Sequence, residues 1–106
     1  MSPKKTVLLV DDDETVIAIL GPILRQFGYI VMEALSGEDA CRQCDRAPVD
    51  LAILDYAMPG MTGIETARAL RAQYRVPFVF LTVRRDEALL EAALMEGAYG
   101  YLVKPV

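Results

Sequence analysis

The sequence predicts a doubly wound α/β fold around a five-stranded parallel sheet, and three observations carry that prediction. Short runs rich in Val, Ile, Leu and Phe recur at residues 6–10, 30–34, 49–54, 77–81 and 99–103. Each has the length of a strand and reads as one buried on both faces. Helix-like segments separate them, giving the order β-α-β-α-β-α-β-α-β, which right-handed crossovers wind into a single sheet. Polar residues stand at the ends of four runs: Asp11 and Asp12 after the first, Asp55 after the third, Thr82 after the fourth, Lys104 after the fifth. Parallel strands end at one edge, which is where open α/β folds bind ligands. Three carboxylates, a hydroxyl and an ammonium brought there would suit a divalent cation and a phosphoryl group.

Each element has its own local signals. A helix over residues 14–27 places Val16, Leu20, Ile23 and Phe27 at spacings of three and four, one apolar face, and Gly28 closes it. Pro22 conflicts with that helix and should kink it or cost about 3 kcal/mol. Asp13, just before the helix, reads as a cap rather than a ligand. Ser36 caps a second helix over residues 36–46. After the third strand, Tyr56-Ala57-Met58-Pro59-Gly60-Met61-Thr62-Gly63 holds one Pro and two Gly, the mark of a shaped loop. A third helix follows over residues 64–73 with Ala67 and Leu70 inward. Asp86 caps a fourth that runs to about residue 96, and Gly97 ends it.

At 106 residues the chain suits one domain, residues 1–106, with one core. A hydrophobic content of 54% fits strands covered on both faces, as does a mean hydropathy of +0.28. No apolar run approaches the roughly 18 residues of a membrane span, and no basic leader with a cleavage site opens the chain. A net charge of −4 argues against gripping nucleic acid through its phosphates. Neither nucleic acid nor membrane is therefore an expected partner. Histidine is absent, so any phosphohistidine chemistry belongs to a separate protein. Cys41 and Cys44 form a C-x-x-C without the second half of a zinc site. On the Ala40 side of an amphipathic helix they read as small buried hydrophobes, consistent with a reducing cytoplasm.

Four motifs in this order and spacing resemble the receiver domain of two-component response regulators. They are Val10-Asp11-Asp12, the stretch from Asp55 to Gly63, Thr82, and Tyr101-Leu102-Val103-Lys104-Pro105. The resemblance runs from Val7 to Pro105 and implies a flavodoxin-like sheet of order 2-1-3-4-5. It implies that Asp55 is the phosphoacceptor, taking a phosphoryl group from a sensor histidine kinase or phosphotransfer protein. A carboxylate is a competent nucleophile for that transfer. Asp11, Asp12, Asp55 and the backbone carbonyl of Ala57 would hold Mg²⁺, which needs few protein oxygens because it keeps several waters. Thr82 and Lys104 would stabilise the phosphoryl group, and Thr82 with Tyr101 would form the switch. Ala57, Val83 and Arg84 would modulate the lifetime of the acyl phosphate. The Lys104–Pro105 bond is cis in this family, against about 5–6% of X-Pro bonds in general.

Two other readings compete. Val7 to Thr15 also fits hhhhD-x-D-x-T, which opens haloacid-dehalogenase-like phosphatases and would make Asp11 the nucleophile. That family needs a further acidic pair beyond the lysine and leaves Asp55 and its loop unexplained. A receiver-like interaction module that is never phosphorylated is the second. One departure from the receiver pattern stands out: the final helix after Lys104-Pro105 is missing from this chain. Exposed apolar sheet and association through it, as in a homodimer, are the expectation. An output domain, if there is one, lies outside this sequence.

Overall fold

Two apolar layers on either side of one sheet organise the chain. The structure, a computed structural model, describes residues 3–83 and 87–104. Strands β1 Thr6–Val10, β2 Ile30–Ala34, β3 Leu51–Asp55, β4 Phe78–Thr82 and β5 Tyr101–Val103 form the sheet. Their order is β2-β1-β3-β4-β5 and every pair is parallel, as expected. Alternate residues feed the two layers, because successive side chains of a strand point to opposite faces. Leu8, Val10, Leu54, Phe78 and Phe80 pack with helices α2 Gly37–Arg46, α3 Gly63–Ala69 and α4 Glu87–Met95. Val7, Leu9, Ile53 and Leu81 pack against α1 Glu14–Gln26. Phe80 sits at the centre of the first layer, edge-on to Phe78 at 5.4 Å and to Tyr56 at 5.3 Å.

Strand boundaries shift from the expected ones for local reasons. β3 starts at Leu51 because Asp50 is spent on the neighbouring strand: its Oδ2 accepts the Thr6 N–H at 2.7 Å. β4 starts at Phe78 because Pro77 has no N–H to give the ladder, although its carbonyl accepts from Ala52 N at 2.9 Å. Past Leu70 the third helix widens into a π-helical turn, Leu70–Tyr74. Asp86, the expected cap of α4, lies outside the described residues. Asp13 is a cap, accepting from Thr15 N at 2.9 Å, and Ser36 caps α2 through Asp39 N at 3.0 Å.

The buried face of α1 differs from the expected one. Ile23 is 44% and Phe27 77% exposed; Val16, Ile17 and Gly21 are buried, with Leu20 and Leu24 packed beside them. Gly21 lies on this buried side of α1. A Cβ there would stand 3.2 Å from Arg25 Nη1 and 3.3 Å from Glu33 Oε2. Ile17 and Leu24 pack with Val31 of β2 in the same layer, and Arg25 pairs with Glu33 of β2 at 2.9 Å.

Pro22 lies inside α1 without ending it. Its ring removes the hydrogen bond that residue 22 would give the Ala18 carbonyl. Pro22→Ala is therefore expected to raise stability in urea unfolding by about 1–2 kcal/mol, the restored helix bond outweighing the looser unfolded chain.

Over β5 the sheet is thinly covered. Leu102 is 49% and Val103 39% exposed, and among the described residues no helix follows β5 to shield them. Cys41 and Cys44 are half-buried against the α2 side of the core. Burial pushes both thiols up, helped by the charge of Asp45, Cys44 to about 11. They are protonated and weakly nucleophilic at neutral pH.

Candidate functional site

The parallel register brings the expected polar residues to one sheet edge. Val10 stands opposite Leu54, Asp55 opposite Leu81 and Thr82 opposite Val103. Asp11 and Lys104 each follow directly on β1 and β5. Backbone bonds lock these ends: Asp11 N donates to Ala34 O at 3.1 Å, Tyr56 N to Leu81 O at 2.9 Å, and Lys104 N to Thr82 O at 2.7 Å.

Side chains then converge. Carboxylate oxygens of Asp11, Asp12 and Asp55 lie within 4.8 Å of one another. Asp11 and Asp55 are buried, while Asp12 faces solvent. Lys104 Nζ reaches both buried acids, 3.0 Å from Asp11 Oδ2 and 3.2 Å from Asp55 Oδ1. Asp55 Oδ1 also accepts the Ala57 N–H at 3.3 Å, and Asp11 Oδ1 accepts that of Asp13 at 2.9 Å.

Burial pushes the Asp55 carboxyl up to about 7, the Asp11 charge and a contact with Asp12 adding to it and Lys104 opposing it. Burial also works against the Lys104 ammonium, but the two carboxylates outweigh it and hold its pKa above the ordinary value.

With all three acids ionised the cluster holds three negative charges against one ammonium, which leaves two, the charge of one divalent cation. Asp55 Oδ2 is buried and accepts no hydrogen bond among the described residues. An all-oxygen donor set with such an atom fits a hard cation such as Mg²⁺.

The loop after Asp55 is fixed from two sides. Met58 is buried, and Gly60 takes a left-handed turn at φ +72. Thr62 and Glu65 form a reciprocal capping box at the start of α3, at 3.1 and 3.0 Å. Sequence reasoning passed over this pair, although T-x-x-E before a helix is its signature. Gly63 is the tightest point: a Cβ there would fall 2.3 Å from the Asp55 carbonyl oxygen.

Thr82 is buried at the end of β4 and Tyr101 half-buried against the α2–α3 layer. Val83 is 68% exposed, and Ala57 is exposed on the loop. Arg84 and Pro105 lie outside the described residues, so neither the modulating role nor the cis turn expected there has a structural counterpart.

A family model described as the response regulator receiver domain matches residues 7–106. The chain belongs to this family. Among curated relatives, the receiver aligns with the transcriptional regulatory protein AfsQ1 of Streptomyces coelicolor, 36% identical over 101 residues. That alignment covers 95% of this chain but 45% of AfsQ1, so the receiver spans less than half of that relative.

Among solved structures it superposes on the chemotaxis response regulator CheY4 of Vibrio cholerae with a TM-score of 0.90 at 34% identity. The match covers 98% of this chain and 89% of CheY4. It also matches the Saccharomyces cerevisiae complex of the histidine phosphotransfer protein Ypd1 with the receiver domain of Ssk1, with a TM-score of 0.87 at 30% identity. There it covers 100% of this chain and 82% of the matched one. The Ssk1 receiver thus engages a histidine phosphotransfer protein. No described helix is long and apolar enough to cross a membrane.

Proposed function

We propose that this receiver is a Mg²⁺-dependent phosphoacceptor switch that takes a phosphoryl group onto Asp55. The observation that supports it is the buried Asp55 carboxylate, paired with Lys104 at 3.2 Å on one oxygen and without a hydrogen-bond partner on the other.

A carboxylate oxygen of Asp55 attacks the phosphorus of a phosphohistidine on a partner kinase or phosphotransfer protein. The new P–O bond forms as the P–N bond breaks, and the leaving imidazole takes up a proton. Asp11, Asp12, Asp55 and the Ala57 carbonyl are the groups that would hold Mg²⁺, which when bound neutralises phosphoryl oxygens and lets the acids ionise together. Lys104 carries the charge that follows the phosphoryl group onto Asp55.

The Thr82 hydroxyl then turns to the new oxygens, and Tyr101 moves further into the space beside β4, shifting a two-state surface towards its active form. Ala57, small and apolar, neither positions nor blocks an attacking water, whereas Val83 narrows the approach. Arg84, long and cationic, is the further residue assigned to altering hydrolysis; an unchanged autodephosphorylation rate in Arg84→Ala would remove it from the scheme. The domain promotes its own phosphorylation but is a switch rather than a turnover enzyme. Its setting is the cytoplasm, and an output domain and a second copy are its further partners.

Intact mass after incubation with acetyl phosphate and Mg²⁺ tests this. A base-labile phosphoryl adduct is expected on the wild type, lost with EDTA and in Asp55→Ala. No adduct on a folded wild type would favour a pure interaction module, and an adduct that survives Asp55→Ala but not Asp11→Ala would move the nucleophile to Asp11.

A further inference from the structure

The sheet end opposite the carboxylates holds a second cationic feature that the phosphoacceptor reading does not use. A cavity of about 250 Å³ opens beside the first residues of β4, and Arg71, Arg75, Pro77, Gly97 and Tyr99 line it. Arg71 comes from the π-helical turn and Arg75 directly follows it; such turns occur frequently at functional sites.

Both arginines are held in unusual ways. Arg71 Nη1 donates to the Glu96 carbonyl at 2.7 Å, which fixes the guanidinium through a neutral acceptor, with the Glu96 charge nearby. The Glu96 carboxylate oxygens are hydrogen-bonded by Arg68, at 2.6 and 2.9 Å. Gly97, at φ +88, makes room: a Cβ there would fall 2.6 Å from Arg71 Nη1. Arg75 sits at φ 55 and ψ 37, a left-handed cap position where glycine is the ordinary choice. An arginine kept in that conformation is a backbone outlier that points to a use for its side chain. Among the described residues no carboxylate pairs with Arg75. In a chain of net charge −4, this is a local reversal of sign.

We infer that the cavity binds a phosphomonoester carrying a planar ring, a nucleoside monophosphate in class. Arg71 and Arg75 present guanidinium groups, whose forked N–H donors match phosphate oxygens. Tyr99, 79% exposed at the mouth, is the aromatic side chain on which a base would stack. The volume is below the roughly 300–1,000 Å³ of sites for larger ligands, which suits a mononucleotide with its base partly outside.

The test is an amide-shift titration of this chain with AMP at low salt, with inorganic phosphate and adenosine as separate arms. Saturable shifts at Arg71, Arg75, Gly97 and Tyr99 are expected with AMP, weaker ones at the same amides with phosphate, and none with adenosine. Arg75→Gly relieves the left-handed backbone and so keeps the fold; it should weaken AMP by about tenfold or more. Arg25→Ala, elsewhere on the surface, should leave binding unchanged. The proposal is overturned by no saturation up to about 10 mM AMP, by shifts confined to other residues, by equal affinity for AMP and phosphate, or by wild-type binding in Arg75→Gly.

Discussion

Lys104→Ala is expected to destabilise the metal-free protein at pH 8 by about 3–5 kcal/mol, the usual loss when a buried ion pair loses one partner. The loss is large here because Lys104 serves two acids at once: Asp11 and Asp55, 0% and 2% exposed, would face each other with no positive charge between them. The pH dependence follows from the upward shift of Asp55.

Between its unfolded value near 4 and its folded value of about 7, the native state binds more protons than the unfolded one. The contribution of Asp55 to stability therefore falls as pH rises through that window. Removing Lys104 raises the folded value further, so the defect should shrink at pH 5.5, where Asp55 is protonated. Urea unfolding of wild type and Lys104→Ala at the two pH values, with and without Mg²⁺, measures it. Saturating Mg²⁺ should recover much of the loss at pH 8. A defect equal at both pH values would mean that Lys104 acts through packing, not charge.

Gly63→Ala is the second large effect. Its Cβ would meet the Asp55 carbonyl oxygen at 2.3 Å, the Tyr56 carbonyl oxygen at 2.8 Å and Tyr56 Cα at 2.9 Å, all backbone atoms that cannot swing aside. Either α3 withdraws or the Asp55 loop shifts. An overpacked site of this kind typically loses about 1–3 kcal/mol and occasionally more; three backbone clashes put Gly63→Ala at the upper end. Because the loop carries Asp55, Mg²⁺ affinity should fall with stability. Gly60→Ala, with nothing within 4 Å of the added Cβ, is the contrast: a left-handed residue costing about 1–2 kcal/mol with no clash at the site.

The sheet and the meeting of Asp11, Asp55 and Lys104 were legible because buried parallel strands read as continuous apolar runs and their ends must share an edge. What the sequence did not show was carried by distant contacts. On α1 the row of Ile17, Leu20 and Leu24 recurs as regularly as the row through Ile23 and Phe27, so spacing alone could not choose between them and Ile23 and Phe27 were misplaced inside. The π-helical turn and the left-handed Arg75 carry no residue that signals either. The capping box was present in the letters at Thr62 and Glu65 and simply went unread. Asp12 and Asp11 looked equivalent in sequence; only the fold buries one and leaves the other in water.

The three-residue β5, with its half-exposed side chains, also governs how the site comes and goes in time. Asp11 and Lys104 lie near opposite ends of the chain, so their pairing is among its most non-local contacts and should form late in folding. A short strand at the sheet edge with little covering it belongs to the part of a structure that opens first. Each excursion of β5 withdraws the ammonium from Asp11 and Asp55 together and breaks the Lys104 N–H bond to Thr82. Hydrogen exchange at that amide therefore counts the openings of the whole charged cluster, and whatever clamps β5 from outside sets how often the site stands assembled.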